Sequence, residues 1–177
     1  MRNIVYYVAM SLDGYISGLN DDISQFKAEG NGVSQYLEDL NNYDTVIMGR
    51  KTYEFGYKYG LKPGQKAYQH MKHVIFSETL QFENTARGVE ISQRDIIKVK
   101  ELKKEEGTAI YLCGGGTFAN WLLEHKLIDQ IKIKLNPFLI GEGTRLFGES
   151  KKQVSLELIE SKLYEHGLQI MTYNISY

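Results

Sequence analysis

The stretch YLCGGGTFANWL (residues 111–122) joins an apolar run, a row of glycines and an amphipathic segment. The apolar residues TAIYLC (108–113) predict a strand buried on both faces, and Phe118, Trp121 and Leu122 recur at the spacing of one helix face. Glycine lets the backbone of a strand-to-helix corner approach a ligand closely, because no Cβ intervenes. The stretch therefore predicts an α/β fold with a binding corner at the carboxyl end of a strand.

A second corner of the same kind lies upstream, in VIMGRKTYE (residues 46–54). Gly49 follows the strand TVIM (45–48), and Arg50, Lys51 and Thr52 open a polar, helix-compatible segment. Free amide N–H groups at a helix start, together with two cations, favour phosphate. A tight turn with solvated basic residues is the alternative interpretation of this pattern.

Strand and helix signals alternate along the rest of the chain and end in a hairpin. The continuous apolar run at 4–10 predicts a central strand, and 131–135, where isoleucines and leucine alternate with lysines, predicts a half-exposed one. The other predicted elements are strands at 73–77 and 89–92, helices at 33–42 and 94–106, the latter capped by Gly107, and a hairpin at 155–177 that turns around His166 and Gly167. Residues 11–32 are expected to form a long loop that serves as a lid.

Composition limits the class of protein. The 177 residues fit a single domain, 1–177, and the 21 Lys and Arg nearly balance the 22 Asp and Glu, which disfavours nucleic acid and anionic membrane as partners. Without a signal-peptide pattern or an apolar run near the ~20 residues of a membrane span, the expected location is the cytoplasm. The single cysteine, Cys113, and four scattered histidines predict no disulfide and no metal site.

Two common nucleotide motifs fit poorly. Gly114, Gly116 and Ala119 satisfy the dinucleotide pattern G-x-G-x-x-G/A, but too little parallel sheet follows them for a Rossmann unit. No G-x-x-x-x-G-K-S/T string of a P-loop occurs. Two glycine corners instead suit a dinucleotide that lies across several strand ends.

Taken together, the strings resemble the dihydrofolate reductase superfamily, and within it the reductase domain of the riboflavin-biosynthesis deaminase-reductase and its stand-alone relatives. The matching strings are VAMSLDGYIS (8–17), VIMGRKTYE (46–54), VIFS (74–77), CGGGTFANWLL (113–123) and LNPFLIGEGTRLF (135–147). The resemblance implies an α/β, dihydrofolate-reductase-like three-layer fold: a mixed, mostly parallel central sheet with a C-terminal antiparallel hairpin and flanking helices.

The resemblance also implies NADPH as cofactor, with NADPH favoured over NADH because the Arg50 guanidinium suits a 2′-phosphate. Nicotinamide contacts would come from Ala9 and Ile16, and a 2′-phosphate contact from Ser77. The phosphate contacts are expected at Gly49, Arg50, Lys51 and Thr52 and at Gly114, Gly115, Gly116, Thr117 and Phe118.

For the chemistry, the resemblance suggests Asp22, with Asp21 second, as the carboxylate near the substrate, and Asp13 as a group that faces the substrate or pins the lid. Solvated turn residues are the alternative for all three. Tyr15 and Phe55 are expected to line the substrate ring pocket, or else to pack in the core.

Two departures separate this chain from the riboflavin enzyme. Leu112 and Cys113 stand where an acidic residue is usual, and EFGYKYGLKPGQK (54–66) lacks the phosphate-contact segment. The leading hypothesis is a 5-amino-6-(5-phosphoribosylamino)uracil reductase, with dihydrofolate reductase and a non-catalytic NADP-binding protein as alternatives. The expected partners are a small pyrimidine or pterin substrate and a second copy in a homodimer.

Overall fold

The computed structural model describes all 177 residues, which form one central sheet with helices on both faces. The strands of this sheet are β1 (Ile4–Ser11), β3 (Thr45–Gly49), β4 (Lys72–Phe76), β5 (Val89–Ser92), β6 (Ile110–Gly114), β7 (Gln130–Asn136), β9 (Ser155–Leu163) and β10 (Gln169–Ser176). A short ribbon pairs β2 (Tyr15–Ser17) with β8 (Thr144–Arg145). The helices are α1 (Asn31–Leu40), α2 (Arg50–Phe55), α3 (Ile96–Lys104) and α4 (Gly116–Glu124).

The strand order is β5-β4-β3-β6-β1-β7-β10-β9. The six strands from β5 to β7 in this order run parallel to one another, and β10 pairs antiparallel with both β7 and β9. Two apolar clusters lie on opposite faces, one packed with α3 and α4 and the other with α1 and α2. The predicted three-layer α/β fold is therefore confirmed. None of the helices has both the length and the apolar character needed to cross a bilayer.

Two local predictions are wrong. Gly107 is not the cap of α3, which ends at Lys104; its φ of 146° lies outside the left-handed helical region, and a Cβ there would meet the Asp44 carboxylate. Strand β7 is not half-exposed, because α1 covers the face that carries its lysines: Lys132 pairs with Asp39, and Lys134 is buried.

Candidate functional site

A single cleft of about 710 Å³ opens at the carboxyl ends of β3, β4 and β6. Because these strands are parallel and adjacent, both glycine corners reach the same edge of the sheet. Eleven of the predicted cofactor and substrate residues line the cleft. They are Ile16, Gly49, Arg50, Lys51, Thr52, Phe55, Ser77, Gly115, Gly116, Thr117 and Phe118.

The first corner is built by the passage from β3 directly into α2. Arg50 begins the helix and lies 3.6 Å from the Glu54 carboxylate one turn later, on the surface of the cleft. A Cβ on Gly49 would lie 3.3 Å from the Cβ of Phe118, so glycine here allows the two corners to approach. The corner thus presents a cation, a lysine and the Thr52 hydroxyl to one side of the cleft.

The second corner, from β6 into α4, contributes mainly backbone. The Phe118 ring is buried and stacks on Phe76 at 4.9 Å, so only the main chain of this residue is suited to a phosphate contact. A Cβ on Gly116 would overlap the Arg145 carbonyl oxygen, so packing against the segment after β8 also requires glycine there. The peptide bond between Gly114 and Gly115 is cis.

The end of β4 forms a third wall of the cleft, where the sequence predicts a ligand contact only for Ser77. The Ser77 hydroxyl oxygen accepts hydrogen bonds from the amides of Thr79 and Leu80, at 3.1 and 2.9 Å, and keeps its own proton to donate. Arg94, which was not predicted, lines the same cleft and, unlike Arg50, takes part in no ion pair. Arg94 lies just before α3 and belongs to no sequence motif that would predict a role in binding.

The more apolar part of the lining, called the far end of the cleft below, includes Phe55, Leu61, Tyr68 and Cys113. The Tyr68 hydroxyl lies 3.6 Å from the Cys113 sulfur, and behind them the hydroxyls of Tyr36 and Tyr111 are 2.8 Å apart. Burial raises the pKa of the Cys113 thiol and of the Tyr36 and Tyr68 phenols, so all three are neutral near pH 7. This end is suited to a planar ring.

Of the three predicted carboxylates, Asp13 and Asp22 lie outside the cleft lining. The Asp13 carboxylate accepts a 2.6 Å hydrogen bond from the Ser11 hydroxyl and others from the amides of Ile140 and Gly141; these bonds lower its pKa to about 2. Asp22 accepts from the Ser24 amide at 2.9 Å, which lowers its pKa. Asp21, the second candidate, lines the cleft. The catalytic roles of Asp13 and Asp22 stay predictions, with ionised carboxylates in both places.

Three other predicted residues also lie beside the cleft rather than in its lining. Val8 lines the cleft in place of its neighbour Ala9, and Gly115 lines it in place of Gly114. The Tyr15 ring packs under the Arg145 guanidinium, 5.7 Å from ring centre to carbon, on the β2–β8 ribbon. Their proposed contacts with nicotinamide, pyrophosphate and substrate remain predictions.

Solved structures share this architecture. A putative riboflavin biosynthesis protein from Shewanella sp. PV-4 is 24% identical, with a TM-score of 0.78 and full coverage of both chains. A Thermotoga maritima diaminohydroxyphosphoribosylaminopyrimidine deaminase/5-amino-6-(5-phosphoribosylamino)uracil reductase gives 0.71 at 14% identity, with 99% of this chain matching 57% of that one. Dihydrofolate reductase from Enterococcus faecalis, complexed with NADP(H), gives 0.70 at 14% identity, covering 99% and 97% of the two chains. At these identities the likeness shows the fold.

Sequence comparison shows the family. Two proteins of Bacillus subtilis (strain 168), both uncharacterized, match nearly end to end: YyaP is 26% identical, covering 98% of this chain and 95% of its own, and YwjB is 31% identical, covering 96% of each. The model of the RibD C-terminal domain matches residues 2–170. The chain therefore belongs to the RibD C-terminal domain family.

Proposed function

We propose that this protein is an NADPH-dependent reductase that acts on a pyrimidine of the 5-amino-6-(5-phosphoribosylamino)uracil type. One observation carries the proposal: two strand-to-helix glycine corners and two arginines open into one cleft, whose other end is lined by aromatic and neutral polar groups. Family membership adds that this is a fold of riboflavin-biosynthesis reductases. A reductase needs these two ends side by side, one for the nucleotide and one for the ring that is reduced.

The residues present fit a phosphorylated dinucleotide. Thr52, Thr117 and the backbone of Gly115 and Gly116 would hold the phosphates, while Ser77 with Arg50 and Arg94 would meet a 2′-phosphate. When bound, NADPH supplies a hydride; the protein's own part is to orient the substrate ring at the far end and to keep bulk water from it.

Turnover tests the proposal directly. Purified protein with 5-amino-6-(5-phosphoribosylamino)uracil is expected to oxidise NADPH, measured as loss of the reduced nicotinamide absorbance, and to use NADH more slowly. Dihydrofolate is the comparison substrate, since pterin reduction is the alternative activity on this fold. Tight NADPH binding with no oxidation on either substrate would overturn the reductase proposal in favour of a non-catalytic NADP-binding protein.

We further propose that the protein works as a homodimer in the cytoplasm. The edge strand β9 leaves Leu156, Leu158 and Leu163 exposed at 48%, 55% and 74%, beside an unpaired row of backbone groups. An exposed apolar edge strand is normally covered, and a second copy placed by two-fold symmetry covers both edges at once.

Sedimentation checks the dimer. At micromolar concentration the protein is expected to have twice the monomer mass, and the double variant Leu158→Lys, Leu163→Lys is expected to sediment as a monomer, because two charges oppose burial of the strand. The matched control, Leu139→Lys, changes a leucine that is 66% exposed in the loop after β7, outside the edge strand, and should leave the dimer intact. Monomeric unmodified protein at that concentration would rule the dimer out.

A further inference from the structure

Lys134 is a buried cation without a counter-ion. The residue lies on β7 between Ala9 of β1 and Ile170 of β10 and is only 6% exposed. Its ammonium faces the Tyr36 ring of α1, 5.0 Å from the ring centre, and makes no hydrogen bond or ion pair in the chain. Two residues earlier on the same face, Lys132 pairs with Asp39 at 2.7 Å.

Such a lysine is costly to the folded protein. A largely buried ammonium loses most of its hydration, and a neighbouring carboxylate or several acceptor oxygens usually compensate for that loss. The Tyr36 ring offers only part of that compensation. The burial accordingly lowers the pKa of Lys134, with no opposing charge to restore it. A residue that destabilises its surroundings in this way is typical of functional sites.

Its surroundings connect Lys134 to the far end of the cleft. The Tyr36 ring that it faces carries a hydroxyl 2.8 Å from that of Tyr111, next to Tyr68 and Cys113 in the cleft wall. The only fully enclosed polar side-chain atom without a partner is Asn120 Oδ1, so the Lys134 ammonium is still reachable from open space. A positive charge therefore lies behind the wall against which the substrate ring would pack.

We propose that Lys134 determines substrate specificity: through Tyr36 it makes the far end of the cleft select a planar heterocycle whose carbonyl or ionised oxygens point toward it. This inference rests on the proposed function, which places the substrate ring at that end. A positive charge behind the Tyr36 ring attracts the carbonyl or ionised oxygens of a pyrimidinedione, and it disfavours the electropositive amino edge of an aminopyrimidine, as found in a pterin. Because the region has low polarity, the Lys134 charge is weakly screened, and it acts on the substrate ring from the other side of the Tyr36 ring.

Two small probes test this preference. Barbiturate presents three carbonyl oxygens and carries a negative charge, whereas 2,4-diaminopyrimidine presents two amino groups. The protein saturated with NADPH is expected to bind barbiturate at least about tenfold more tightly than 2,4-diaminopyrimidine. Lys134→Met, which keeps an unbranched side chain but removes the charge, is expected to reduce that ratio about tenfold. Lys132→Met is the matched control on the same strand and face, and it should leave the ratio unchanged.

Thermal unfolding separates a ligand-directed lysine from a structural one. Lys134→Met should melt at a higher temperature than the unmodified protein because it removes an unpaired buried charge, whereas Lys132→Met should melt lower because it leaves Asp39 unpaired. An unchanged probe ratio, or a fall in melting temperature for Lys134→Met, would overturn the inference. NADPH affinity is measured separately: if the protein does not bind NADPH, the proposed function fails, while the probe ratio of the NADPH-free protein still judges Lys134.

Discussion

Replacing Arg50 and Arg94 together with alanine is expected to weaken NADPH binding by roughly 100-fold and to leave NADH binding within about threefold of its original value. Both arginines line the cleft, as does Ser77, the residue proposed to meet the 2′-phosphate. A charge-assisted hydrogen bond to phosphate is worth about 1.5–3 kcal/mol, so each single variant should cost roughly tenfold or more. NADH lacks that phosphate, so neither change should alter its binding affinity much.

Quenching of protein fluorescence by the two nucleotides gives the affinities. Arg87→Ala is the matched control, because Arg87 is an exposed arginine of the same region that does not line the cleft. Equal losses for NADPH and NADH would assign the arginines to the shared phosphates instead. Unchanged NADPH affinity in the double variant would mean that the 2′-phosphate lies elsewhere, and the preference for NADPH would lose its basis.

The two glycine corners could be predicted from the sequence because everything that defines them is local. A buried strand, a glycine and the first turn of a helix follow one another within the short stretches 46–54 and 111–122, and in both places the predicted strand and helix are present. Parallel packing of adjacent strands then brings the corners together without any further information. The cofactor end of the site follows from these local signals.

The substrate end depends on contacts between segments that are distant in the sequence, and the sequence predicts only some of its residues. Alternation of lysine and isoleucine in β7 looks the same whether solvent or an aromatic helix covers the lysine face, so the burial of Lys134 under Tyr36 was not foreseen. Arg94 and Tyr68 reach the cleft from segments with no motif. Asp13 was given two possible roles, and the structure shows its carboxylate bound to the amides of Ile140 and Gly141, 127 and 128 residues away.

His73 is another residue whose environment the sequence does not predict. The four histidines are scattered along the sequence and none stands in a motif, and the structure buries His73 completely. Its Nε2 accepts hydrogen bonds from the amides of Ala67 and Tyr68 at 3.1 and 3.2 Å, and its Nδ1 donates to the Met71 carbonyl. Because Ala67 and Tyr68 line the cleft, this ring supports the wall at the substrate end.

The free energy of unfolding is expected to fall by about 3 kcal/mol as the pH is lowered from about 6.5 to about 4, and His73 is the cause. Burial lowers the pKa of His73 from 6.5 to about 4 in the folded protein. In that interval the unfolded chain binds a proton that the folded protein does not, so acid favours unfolding; above pH 6.5 the full stability is present. Protonation of Nε2 would also remove the acceptor for both amides, so the loop at 61–71 should loosen first.

Urea unfolding at a series of pH values measures this dependence. His73→Gln keeps an acceptor but cannot titrate; it should be less stable near pH 7 by about 1–3 kcal/mol and should lose most of the decline between pH 6.5 and 4. His125→Gln changes an exposed histidine at the end of α4 and should keep the decline of the unmodified protein. If His73→Gln retained the full decline, the acid sensitivity would belong to other groups, and the His73 ring would serve only as packing behind the cleft wall.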